Sequence, residues 1–156
     1  MNYSYYRSPI GMLTLTEQDG QITGVHFGKL IYPKEFHHAE TPTLSHLRKE
    51  LWEYFEGRRT HFSDLVLATC GTPFQQAVWH ELAQIPYGET RTYQQIAAAI
   101  GKPNAVRAVG NACNQNPLAV LLPCHRILGA KGTLTGYAGG LDAKETLLRI
   151  EGITLQ

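Results

Sequence analysis

The sequence predicts an α+β protein, and three observations carry that reading. "MLTLTEQ" and "QITGVHF" alternate apolar and polar residues on either side of Asp19-Gly20, which signals a β-hairpin. Leu44, Leu47, Leu51 and Phe55 then recur at helical spacing. From Thr72 onward the chain reads as a succession of capped helices. An α+β unit over residues 1–69 and a mainly helical unit over 70–156 are therefore expected.

Taken in order, the hairpin needs Gly20 because glycine reaches positive φ without steric cost. The helix in "TLSHLRKELWEYFEG" has Gly57 as its stop, and Arg58-Arg59 lead into a candidate strand, "HFSDLVLA", at 61–68. Thr72 as N-cap, Pro73 at the first helical position and Gln75 form the next capping signature. Phe74, Val78, Leu82 and Ile85 supply that helix's apolar face, and Pro86-Tyr87-Gly88 ends it. Thr92 and Gln95 repeat the capping pattern and open a helix over 93–100, closed by Gly101. A third helix over 105–114 takes Asn104 as its cap, with Pro117 beyond its end.

Two short helices joined by a glycine-containing turn fit the helix-turn-helix outline, although most such pairs only pack against each other. "LAVLL" at 118–122 reads as a buried strand or interior segment, which Pro123 turns out of its path. The glycine-rich "GAKGTLTGYAGG" can form a hairpin or a loop lying close to a ligand. The last helix is capped by Asp142 and Glu145 and ends at Glu151-Gly152.

Composition excludes several classes. With 43% hydrophobic and 17% charged residues in 156, the chain can bury a core and is neither disordered nor fibrous. Apolar runs fall short of the ~20 residues of a membrane span, and "MNYSYYRSPIG" has no signal-peptide pattern, so an intracellular protein without membrane partners is expected. Residues 1–71 carry seven Lys+Arg against eight Asp+Glu, and 72–156 seven against five, an asymmetry too small to name an anionic partner. There is no Cys-x-x-Cys pair, phosphate loop or dinucleotide fingerprint, so no metal and no cofactor is expected.

Three cysteines in such a chain are expected as free thiols. Cys70 and Cys113 read as small apolar residues. Cys124 stands apart: in "VLLPCHRILG" a turn would expose it, and the neighbouring His125 and Arg126 bring charge that can lower a thiol's pKa and make it a nucleophile. Consecutive side chains need not meet, however, and the residues alone leave a buried inert cysteine as an even alternative.

"NPLAVLLPCHRILG", read with "YQQIAAAIG", "RAVGNA", "GYAGG" and "LLRIEG" in that order, resembles the O6-alkylguanine-DNA alkyltransferases, also called methylated-DNA–protein-cysteine methyltransferases. The likeness covers 72–152, and "SPIGMLTL" is similar to that family's N-terminal domain. It implies a ribonuclease-H-like α+β domain followed by a winged-helix-type DNA-binding domain, with 93–100 and 105–114 as the helix-turn-helix entering the minor groove.

The implied activity is stoichiometric DNA repair. Cys124 would take the alkyl group from O6-alkylguanine in double-stranded DNA, with O4-alkylthymine left open as a further substrate, and the thioether would end the protein's activity. His125 would act as base through a water, oriented by Glu151, and Tyr93 would bond the everted base and the rotated phosphate. Arg107 would fill the gap in the base stack, Tyr137 pack on the base and the Ala138 amide meet O6. Ala105, Ala108 and Ala112 would permit close approach, Asn116 would brace the segment before Cys124, and Arg126 would make a structural salt bridge. A monomer is expected. The rival readings are a damage-binding relative, against which the presence of Cys124 speaks, and a thiol hydrolase of small esters or amides.

Overall fold

A four-stranded sheet and one helix build the N-terminal unit of the computed structural model, which describes residues 1–62 and 64–154. Strands β1 (Asn2–Ser8), β2 (Gly11–Gln18), β3 (Gln21–Phe27) and β4 (His37–His38) lie in the order β3-β2-β1-β4. The β1–β4 pairing is parallel and the others antiparallel. The hairpin forms at Asp19-Gly20: Gln18 pairs with Gln21 and both turn residues have positive φ, 52° and 82°. Leu13 and Leu15 are fully buried, as their alternation predicts. Thr14 and Thr16 on the other face are buried too, because their hydroxyls find Gly28 O at 2.7 Å and Thr23 at 2.8 Å.

Helix α1 (Pro42–Phe55) starts at Thr41, whose side chain accepts from Leu44 N, and ends before Gly57 at φ +74°. It buries Leu44, Leu47, Leu51 and Tyr54 against β1–β3, while Phe55 is only half-buried. Strand β1 falls outside the predicted stretches because "NYSYYRS" lacks apolar–polar alternation. The strand expected at 61–68 does not form among the described residues, and Ser63 lies outside them. Ile22 N donates to Val66 O and Ala68 N to Ile22 O around a single bridge, Ile22–Leu67. None of residues 64–67 is fully buried, so no apolar face holds a longer ladder there. Residues 117–119 group with this unit, bonded on both sides of Val25.

The other unit, 70–116 with 120–156, is mainly helical. It holds α2 (Pro73–Ala83), β5 (Arg91–Thr92), α3 (Tyr93–Ala99), α4 (Val106–Asn114), β6 (Ile127–Leu128) and α5 (Leu141–Ile150), with β5 and β6 paired in parallel. Both predicted capping boxes are present, Thr72 with Gln75 and Thr92 with Gln95. Gly101 at φ +76° follows α3. Trp79 Nε1 donates to Ala112 O at 2.9 Å and fixes α2 on α4, where Val78, Leu82 and Val109 are buried.

Two expected caps are corrected. Helix α4 begins from Ala105, with no side-chain cap, so Asn104 stands one residue too early to reach its free amides. Helix α5 begins from Gly140 at φ +92°, which leaves Asp142 inside the first turn facing the helix dipole and Glu145 paired with Arg149 at 2.9 Å. Residues 118–122 are all buried but form no strand, because Val120 adopts φ +70° and reverses the chain. The glycine-rich segment is a loop with one 3₁₀ turn, Ala130–Gly132. Among the described residues no helix is long and apolar enough to cross a membrane.

Candidate active site

Cys124, His125 and Arg126 form one 3₁₀ turn between Pro123 and β6, and all three are buried. A turn of this kind sends consecutive side chains in different directions, so the three make different contacts. Cys124 Sγ receives the Asn116 amide at 3.3 Å, and the same Nδ2 donates to Leu122 O at 2.8 Å. Asn116 therefore lies under the sulfur and ties down the segment before it. His125 Nε2 lies 2.7 Å from Glu151 Oε2. Arg126 grips both oxygens of that carboxylate, Nε to Oε1 at 2.8 Å and NH2 to Oε2 at 3.1 Å, and donates from NH1 to Ile85 O. Gly88 N supplies a further donor to Oε1 at 3.1 Å.

Glu151 is thus a buried carboxylate whose acceptor sites are filled, which is the condition for keeping a charge out of water. A carboxylate only accepts, so its bond makes Nε2 the protonated nitrogen of neutral His125 and leaves Nδ1 carrying the lone pair. Burial holds the imidazole below its ordinary pKa against the upward pull of Glu151, so the resting ring is neutral.

Of the two settings the residues left open for Cys124, exposed and acidified or buried, the structure shows the buried one. Cys124 is 6% exposed, and burial pushes its pKa above the ordinary 9.0 despite the donors Asn116 and Tyr137 and the Lys144 cation. The sulfur therefore rests as a thiol and needs a base to activate it. Cys113 is buried in α4 and pushed up to about 12 by burial, while Cys70 is exposed.

Beside the thiol a groove of about 620 Å³ is lined by Tyr93, Arg107, Gly110, Asn111, Asn114 and the loop Thr135–Ala138. Helix α4 gives it residues 107, 110, 111 and 114, one face at helical spacing. Arg107 is exposed, and Tyr93 and Tyr137 are half-buried. Cys124 is not itself in the lining, but Tyr137 touches both the groove and the sulfur. Ala108 is exposed on α4 and Ala105, at its N-cap, is half-buried, whereas Ala112 is 3% exposed and its carbonyl is bonded to Trp79. Ala112 thus belongs to the packing against α2 and offers no approach surface. Gly110, Asn111 and Asn114 went unnoticed in the sequence, where the i, i+3, i+4, i+7 spacing from Arg107 was the available signal.

Cation ligands gather elsewhere. In the N-terminal unit His46, Glu50 and Asp64 place one ligand atom each within 4.8 Å of one another. Arg59 NH1 already lies 3.2 Å from the buried Glu50 carboxylate and supplies the counter-charge there.

Fold and site together describe a class: an α+β protein whose second, mainly helical unit carries a buried cysteine followed in the same turn by a histidine paired with a carboxylate. Residues 73–153 match the family model for the 6-O-methylguanine DNA methyltransferase DNA-binding domain, and 1–69 that family's ribonuclease-like domain. The chain belongs to the 6-O-methylguanine DNA methyltransferase family. It is similar to the methylated-DNA–protein-cysteine methyltransferase of Haemophilus influenzae, at 45% identity over 97% of this chain and 86% of that one. The constitutive enzyme of Bacillus subtilis is 44% identical over 97% and 96%. The crystal structure of Mycobacterium tuberculosis OGT in complex with DNA superposes with a TM-score of 0.89 at 43% identity, over 97% of this chain and 92% of that one. The α+β fold with a ribonuclease-like first domain and a DNA-binding second domain is therefore the family's own.

Proposed function

We propose that this chain repairs DNA by transferring an alkyl group from O6 of guanine to the sulfur of Cys124, once per molecule. The observation that carries the reading is the thiol's setting: Sγ is held by Asn116 and Tyr137, the next residue in the chain is the His125 paired with Glu151, and Tyr137 links the sulfur to a groove large enough to take a base. The names of the relatives, and the DNA bound to the Mycobacterium tuberculosis protein, support the same reading.

In this reading His125, held through Nε2 by Glu151, draws the thiol proton toward Nδ1 through a water. The thiolate attacks the alkyl carbon in line, the S–C bond forms, and the C–O6 electron pair leaves with guanine, which is protonated by Tyr93. O6 cannot be reached in line while the base is stacked, so the nucleotide turns out of the duplex at a cost of a few kcal/mol. Arg107 fills the gap, Tyr137 packs on the base, the Ala138 amide meets O6, and Ala105 and Ala108 allow α4 to come close to the minor groove. Nothing in the site removes an alkyl group from sulfur, so the thioether ends activity. O4-alkylthymine fits the same chemistry. The working unit is a monomer inside the cell, with its first domain over 1–69 and its catalytic and DNA-binding domain over 70–156.

Incubation with duplex DNA carrying one O6-methylguanine, followed by peptide mass spectrometry, tests this. One methyl group on the peptide containing Cys124, absent in Cys124→Ser, is expected. Unmodified protein that still holds the damaged duplex would instead define a binder, and repeated turnover of a small ester a hydrolase; either outcome overturns the proposal.

A further inference from the structure

Lys144, on α5, is the one fully buried lysine among the described residues and stood outside the sequence reading. Its Nζ donates to Thr135 O at 3.2 Å and makes a longer contact of 3.5 Å with Thr135 Oγ1. It also lies 6.0 Å from the centre of the Tyr93 ring. No carboxylate pairs with it among the described residues; burial pushes its pKa below the ordinary value, and the thiols of Cys124 and Cys113 pull it back up. Thr135 Oγ1 in turn donates to Tyr93 Oη at 3.1 Å. Thr135 and Tyr93 both line the groove.

The direction of these bonds follows from the donors available. The amino nitrogen carries N–H donors in either protonation state, and its contact with Thr135 runs from Nζ to Oγ1, so Thr135 accepts there. A hydroxyl whose lone pair is so engaged sends its own hydrogen onward, and the acceptor it meets is Tyr93 Oη. With its oxygen occupied as an acceptor, the phenol must direct its own hydrogen elsewhere, and the groove is the open side.

We propose that Thr135 and Lys144 are positioning residues that fix Tyr93 as a hydrogen-bond donor into the groove, aimed at a ring nitrogen of the everted purine. The inference rests on the alkyl-transfer reading above and adds two residues to it. It explains why a lysine is kept in the interior without an acid. Burial raises the Tyr93 pKa more than the Thr135 bond lowers it, so the phenol carries the hydrogen it is to donate.

Single-turnover alkyl transfer tests the chain of donors, using both duplex O6-methylguanine and free O6-benzylguanine, which has no phosphate. Thr135→Val keeps the shape and removes the hydroxyl; it should slow transfer about tenfold with both substrates, the loss of one hydrogen bond. Thr135→Ser should recover most of the rate. In a Tyr93→Phe background Thr135→Val should change the rate less than twofold, which a purely structural role would not produce. Lys144→Met should slow the free-base reaction at least as much as Thr135→Val.

The inference is overturned if Thr135→Val matches the unaltered protein, if Thr135→Ser is as slow as Thr135→Val, or if the loss persists in Tyr93→Phe. A loss confined to duplex DNA overturns the purine as target, and an unaffected Lys144→Met overturns the part given to Lys144. Absence of transfer by the unaltered protein overturns the function itself and this inference with it, whereas normal transfer by both proteins overturns only the inference.

Discussion

His125 Nε2 lies 2.7 Å from Glu151 Oε2, and both side chains are fully removed from solvent. Burial holds the imidazole below the ordinary 6.5 in the folded chain, Arg126 and Lys144 push the same way, and Glu151 only partly offsets them. The unfolded chain therefore binds a proton that the folded chain refuses between those two values. By linkage the contribution is fully present above about pH 6.5 and is lost as pH falls below it. Urea unfolding should show a lower midpoint at about pH 5.5 than at about pH 7.5, and His125→Asn should reduce that difference.

Glu151 is also the counter-charge of buried Arg126. Glu151→Ala would leave the guanidinium without an anion, a change that costs about 3–5 kcal/mol. The same denaturation measurement reads it, and a loss below about 1 kcal/mol would mean that water reaches the site.

The three thiols should react at separate rates. Cys70 is exposed, whereas Cys113 and Cys124 are buried and raised in pKa. A disulfide reagent at neutral pH should label one thiol quickly in the native protein and all three after denaturation. Cys70→Ser should remove the fast phase.

Asn116 divides one amide group between Leu122 O and Cys124 Sγ. Asn116→Leu strands a carbonyl and removes a donor that lowers the thiol's pKa, so stability should fall by about 1–3 kcal/mol. Alkyl transfer should slow about tenfold for each unit by which the pKa rises. Rates measured across pH separate the two effects, since only the pKa effect shrinks as pH is raised.

Arg107 stands exposed at the groove's rim. Arg107→Ala should slow repair of duplex DNA well beyond its effect on free O6-benzylguanine, because only the duplex needs its gap filled. Equal losses on the two substrates would remove that role. Duplex repair should also fall steeply with salt.

Local chemistry was legible in the chain. Asp19-Gly20 turned where two alternating stretches met, and Thr72 and Thr92 capped the helices they preceded, because turns and caps are settled by residues within a few positions of one another. Cys124, His125 and Glu151 were instead singled out by the resemblance of ordered motifs spread over 72–152, not by local chemistry. Caps with no side-chain signal, at Ala105 and Gly140, were beyond that reach.

What the tertiary structure decided was the environment of those residues. Adjacency of Cys124 to two basic residues left an exposed, acidified thiol and a buried one both open; packing buried it and raised its pKa. Arg126 was turned toward Glu151, 25 residues away, Ala112 was turned into the core, and Lys144 was brought to Thr135 and Tyr93. Solvation and partner geometry depend on what lies across space from a side chain, and the sequence orders residues only along the chain.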